Sequence, residues 1–206
     1  MTSISRKMAQ FALALRYEDI PEAARHEAKR FLLDSVGCAL AAVDHEDMLQ
    51  AYEYVRHVGG KDQATIIGHG TRTDVASASL MNALLIRAMD YNDIYWKQDP
   101  SHPSDILPAA LAPAEYRGLS GKELIVGMLI AYELEMRLCL AATPGVREVG
   151  WHHATLTQFV SPFVAGRMLG LSEDQLVAAC GISGSSHFTL GGVVAGHLTN
   201  MKNTAD

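Results

Sequence analysis

An all-α fold is what this sequence predicts, and three observations predict it. Apolar residues recur close to every 3.6 positions along most of the chain, the period of a helix with one buried face. Hydrophobic residues make up 49% of the 206 residues and aromatics only 7%. Ala, Leu, Val and Met dominate that fraction, a mix suited to close-packed helices rather than sheets. A single short run, "ATIIG" at 64–68, has strand character and is read as one hairpin arm or extended chain.

The elements follow in order. A first helix is expected over much of "SRKMAQFALALRY", 5–17. Pro21 suits the first turn of a long second helix, 21–43, with Phe31, Leu32, Val36 and Leu40 on its buried side. A third, 46–58, should stop at the Gly59-Gly60 pair. Asp74 is placed to cap a fourth through 88. Another follows at 106–118. Ser120 with Glu123, and Ser172 with Gln175, have the capping-box spacing ahead of two later helices. Gly170 stands where a left-handed residue would close the helix "VSPFVAGRML". No repeat, low-complexity tract or Pro-rich linker divides the chain, so one domain is expected over 1–206.

Composition narrows the function. Charged residues are 19% and the formal net charge is −6 without a Lys/Arg run, so no nucleic-acid partner is expected. Cys38, Cys139 and Cys180 are far apart and lack metal-ligand spacing, which predicts reduced core thiols and no metal site. The N-terminus has no signal-peptide architecture, and the uncharged stretch from Gln175 to Met201 is too rich in glycine and serine for a membrane helix. No membrane partner and a cytoplasmic location are therefore expected. That stretch reads instead as mobile or ligand-facing. The last residues, "GHLTNMKNTAD", look like the interior of an element and suggest a portion of a larger protein.

Three places could carry chemistry. The first is "MDYNDIYWKQDPSHPSD", 89–105, a polar loop between two apolar helices. Pro103 forces His102 out of helical conformation, just ahead of a helix start that Ser104 or Asp105 can cap. The amide groups there favour an anion, and a histidine beside an anion is a plausible proton carrier. Asp90 stands at a helix C-terminus, where a negative charge is unfavourable. The same residues also fit a solvated loop whose aspartates bond the backbone. The second place is "GWHHAT": His152 and His153 open a helix, and side chains about 100° apart cannot both face one site. Either could instead be a capping or core histidine. The third is Lys202, a lone cation after glycine-rich chain, which reads equally as an anion-binding group or a surface lysine.

Taken together, "FLLDSVGCALAA", "ATIIGHG", "NALLIRAMDYND", "HPSDILPAALAPAE", "GKELIVGMLIAYELEMRL", "GWHHAT", "GRMLGLSEDQLVAACGISGS" and "MKNTAD" resemble, in order, the MmgE/PrpD family of 2-methylcitrate dehydratases and cis-aconitate decarboxylases. The resemblance implies a helical domain joined to a smaller α/β domain that this sequence lacks, usually as a homodimer. It places the catalytic set on Asp90, His102, His152 and Lys202, with Asn92, Asp93 and Ser104 binding substrate and His153 the lesser of the histidine pair. Ile94 replaces the threonine of several members. The implied activity is elimination of water from a small polycarboxylate, 2-methylcitrate, in propionate metabolism, by acid–base catalysis without metal or organic cofactor. Decarboxylase, isomerase or epimerase chemistry is the alternative within the family. A non-catalytic helical dimerisation module, or half of a split enzyme completed by a complementing chain, is the alternative outside it.

Overall fold

A computed structural model describes residues 2–186 and 188–191. The described residues are predominantly helical: α1 Ile4–Ala14, α2 Glu22–Ala41, α3 Glu46–Val58, α4 Val75–Arg87, α5 Leu107–Arg117, α6 Gly121–Ala141, α7 Ala154–Thr157, α8 Ser161–Leu169 and α9 Glu173–Ser186. Two antiparallel pairs of two-residue strands accompany them: β1 Ala64–Thr65 with β2 Arg72–Thr73, and β3 Tyr95–Trp96 with β4 Pro100–Ser101. The all-α expectation holds, and "ATIIG" supplies one arm of the first hairpin.

Helix boundaries follow local chemistry. Asp74 Oδ1 accepts from the Ala76 and Ser77 amides, 3.0 Å each, and so starts α4 as expected. Ser172 and Gln175 form a reciprocal box: the Ser172 amide donates to Gln175 Oε1 at 2.9 Å and the Gln175 amide to Ser172 Oγ at 3.4 Å. Gly59 and Gly170, at φ 75° and 81°, close α3 and α8 where a side chain would be strained. The first helix is shorter than its apolar period. It stops at Ala14, and a 3-10 turn, Tyr17–Asp19, follows, with Arg16 Nε 3.0 Å from Asp19 Oδ2.

Helix α5 lies at the centre, packed on α4, α6 and α8. Its small residues allow this. Ala110 and Ala112 are buried, and a Cβ added at Gly127 of α6 would stand 3.1 Å from Ala110 Cβ and from Met168 Sδ of α8. Phe163, Met81, Met128, Leu85 and Ile130 fill the interior completely, each worth about 1.5–3 kcal/mol over exposure. Cys38, Cys139 and Cys180 are buried and unbridged. Among the described residues no helix is long and apolar enough to cross a membrane.

Candidate active site

The polar loop 89–105 folds over the C-terminal end of α4, around one buried cation. Arg87 is 1% exposed. Its Nη1 donates to Asp90 Oδ1 and, at 3.3 Å, to Asn92 Oδ1, while Nε stands 3.9 Å from Asp105 Oδ2. That cation explains the unfavourable placing of Asp90. The negative charge at the helix end is paired with an arginine of the last turn, and Asp90 turns the chain at φ 55°.

The same loop fixes His102. Its backbone is extended, φ −118° and ψ 86°, as the following proline requires. Asn92 Nδ2 donates to Ser104 Oγ at 2.8 Å and to Asp105 Oδ1 at 3.1 Å. The cap on the 3-10 turn Pro103–Ile106 is Asp93, whose Oδ1 accepts from the Ser104 amide at 3.1 Å. Neither Ser104 nor Asp105 caps the helix that follows, since both side chains face Asn92 within the loop. His102 Nδ1 is 2.6 Å from the Asp93 carbonyl oxygen. A carbonyl can only accept, so Nδ1 carries the hydrogen and Nε2 keeps its lone pair. Burial and then the charge of Arg87 hold this imidazole below its ordinary pKa, so it is neutral at neutral pH.

A second wall comes from residues 143–157. Asp99 Oδ2 accepts from the Val146 amide at 2.7 Å, docking the turn Arg147–Val149 on the β3–β4 hairpin. Arg147 Nη2 approaches His153 Nδ1 at 3.1 Å. A guanidinium can only donate, so His153 Nδ1 accepts and its hydrogen sits on Nε2. Three imidazoles cluster here at tilted angles: the His153 ring is 5.4 Å from His102 and 3.9 Å from His152, centroid to centroid. Burial above all, then neighbouring positive charge, pushes His152 down to about 4 and His153 to about 2.

These walls enclose a cavity of about 270 Å³. Arg87, Asp90, His102, Arg147 and His153 supply its ionisable lining, with Asn92 beside them and Ile94, Trp96 and Pro100 as its apolar part. Of the residues singled out from sequence, Asp90, Asn92 and His102 border this cavity. Asp93 and Ser104 hold the loop around it. His152 lies one ring behind His153, its Nδ1 accepting from the Ala154 amide at 3.3 Å. Lys202 lies outside the described residues. Arg87, Arg147 and the forward position of His153 were not anticipated. Arg87 left one signal, a charge inside the apolar run "SLMNALLIRA". Arg147, in a turn, left none. A larger open groove of about 820 Å³, bordered by α3, α4 and α5, is lined mostly by apolar and hydroxyl side chains and has neither histidine nor arginine.

The cavity is thus a small polar site with neutral imidazoles and two guanidinium groups. The model of the MmgE/PrpD N-terminal domain matches residues 6–206. The chain belongs to the MmgE/PrpD family. A 2-methylcitrate dehydratase of Salmonella typhi is 27% identical over 186 residues, covering 82% of this chain and 37% of the relative. A probable 2-methylcitrate dehydratase of Saccharomyces cerevisiae is 29% identical over 172 residues, 74% and 32%. A cis-aconitate decarboxylase-like protein, oryM, of Aspergillus oryzae is 26% identical over 211 residues, 97% and 42%. This MmgE/PrpD chain therefore spans about a third to two fifths of the length of the curated relatives it matches.

Proposed function

We propose that the protein is a hydro-lyase that eliminates water from 2-methylcitrate. Family membership and the names of its relatives support the class of reaction. One observation supports the mechanism: His102 borders the cavity as a neutral imidazole with its lone pair on Nε2. In this reading His102 takes the proton α to a substrate carboxylate. The electron pair forms the double bond, and the proton that His102 now carries goes to the departing hydroxyl, which leaves as water. His152, one ring behind His153, acts on that transfer only through its neighbour. Lys202 balances the developing enolate charge. Asp90, held by Arg87, orients the polar wall. Ile94, Trp96 and Pro100 give the substrate methyl group an apolar neighbour.

The test is incubation of the complete protein with 2-methylcitrate, citrate and cis-aconitate, following unsaturation by ultraviolet absorbance. Conversion of 2-methylcitrate is the expected result, and His102→Gln should lower kcat by about 10²–10⁴-fold. No change in any of the three acids would end the lyase reading and leave the non-catalytic module. The Aspergillus relative supports decarboxylation as a second reading, and carbon dioxide released from cis-aconitate would select it. A homodimer is part of the same proposal, with exposed Leu33 and Leu40 of α2 as apolar surface for it; Leu40, expected on the buried side of that helix, is exposed. Sedimentation of a monomer at high concentration would remove that part.

A further inference from the structure

We propose that Arg147 is the residue through which this site recognises a carboxylate of its substrate, and that the ring of His153 holds its guanidinium in place. The inference deepens the hydro-lyase reading and rests on it for the substrate class. It starts from an asymmetry between the two cavity arginines. Arg87 is already paired: Asp90 and Asn92 accept from its Nη1, and the Asp105 carboxylate stands 3.9 Å from its Nε, which has no hydrogen-bond partner among the described residues. Its charge is matched before any ligand arrives. Arg147 borders the same cavity and has no ion pair among the described residues. Its only described side-chain hydrogen bond is to His153 Nδ1 at 3.1 Å. A guanidinium has five N–H donors in a planar fork, so the others remain for a carboxylate, which that fork matches in bidentate fashion.

The turn that carries Arg147 is pinned. Val146 is bonded to the buried carboxylate of Asp99, the Pro144 carbonyl accepts from Gln98 Nε2 at 2.9 Å, and the Val146 carbonyl accepts from the Trp151 amide at 3.0 Å. The side chain is exposed at the mouth while its backbone is fixed. His153 is suited to hold it. The ring is 2% exposed, and its Nε2 has no hydrogen-bond partner among the described residues. Its Nδ1 can accept only while the ring is neutral. His152, His102, Arg147 and Arg87 all oppose a positive charge there, and Asp90, the carboxylate that borders the same cavity, is paired with Arg87. His153 is accordingly a positioning residue, and the contact should persist from about pH 5 upward.

The experiment uses the complete protein, 2-methylcitrate as substrate and tricarballylate, a tricarboxylate that cannot lose water, as binding probe. Arg147→Gln should raise KM for 2-methylcitrate and the calorimetric Kd for tricarballylate tenfold or more, with kcat changing less than threefold. Arg147→Lys should recover only part, because an ammonium is a point charge. His153→Asn, whose amide oxygen can replace Nδ1 as acceptor, should stay closer to wild type than His153→Leu. In protein labelled with ¹⁵N-histidine, His153 should show the Nε2–H tautomer and no titration above pH 5. Unchanged KM and Kd in Arg147→Gln, or an Nδ1–H tautomer, would overturn the inference even if the protein turns over 2-methylcitrate. Tricarballylate that binds wild type and not Arg147→Gln would sustain it even if no acid is converted, and only the lyase reading would then fall.

Discussion

Glu135 of α6 is fully buried, and Ser101 Oγ donates to its Oε1. Its Oε2 has no hydrogen-bond partner among the described residues. Burial raises this carboxyl to about 7 despite the serine. The folded state therefore binds a proton more tightly than the unfolded chain, whose carboxyl titrates near 4.5. Stability from this group is present below about pH 4.5 and is lost as pH rises to about 7. Glu135→Gln keeps the acceptor for Ser101 and removes the charge. It should stabilise the protein at pH 8 by up to roughly 3 kcal/mol and change little at pH 4.5. Urea unfolding at the two pH values checks this; equal effects at both would mean that Glu135 is not the titrating group. At this scale His102 was legible, because a proline next in sequence dictates its backbone. The choice between His152 and His153 was not. It depends on the path of residues 143–153, which Asp99 fixes from a distant hairpin.

At the scale of elements, two devices place the site. Asp93 joins the chain before the β3–β4 hairpin to the 3-10 turn after it, with its carboxylate capping the Ser104 amide and its carbonyl holding His102. Asp93→Ala should cost about 1 kcal/mol, while Asp93→Asn, which retains the acceptor, should cost less. Chemical denaturation of the two variants makes the comparison. The second device is close helix packing. A Cβ at Gly166 of α8 would collide with Leu176 of α9, a side chain that is itself fully buried. Gly166→Ala gains up to about 1 kcal/mol in helix propensity, but overpacking costs about 1–3 kcal/mol. A net loss is expected, read as a lower denaturation midpoint. The helices themselves were written in the apolar period and in their caps. The β3–β4 hairpin was not, because it is two residues per strand and no alternation can be seen over that length.

For the whole molecule, the buried imidazole cluster sets the response to acid. His152 and His153 are buried neutral, whereas the unfolded chain protonates histidine near 6.5. Below that value the unfolded state binds protons that the folded state refuses, so stability falls with falling pH. His152 alone should remove up to roughly 3 kcal/mol between about pH 6.5 and 4. Glu135 runs the other way over an overlapping range and partly masks the loss. The melting temperature should therefore fall more steeply from pH 7 to 4.5 in Glu135→Gln than in wild type. Parallel curves would refute the assignment. The surface pairs Arg6–Glu173 and Arg6–Asp174, which tie α1 to α9, should add little and weaken with salt.

By itself the sequence determined the fold class, most helix limits, the family and the candidacy of Asp90, His102 and the histidine pair. These rest on period, capping chemistry and ordered motifs, which are local along the chain. Only the tertiary structure decided which ring borders the cavity, which nitrogen of each imidazole carries its proton, and that Arg87 and Arg147 line one space 60 residues apart. Those are facts of burial and mutual distance. A residue's electrostatic role is fixed by partners brought from elsewhere in the chain, and no local pattern records them.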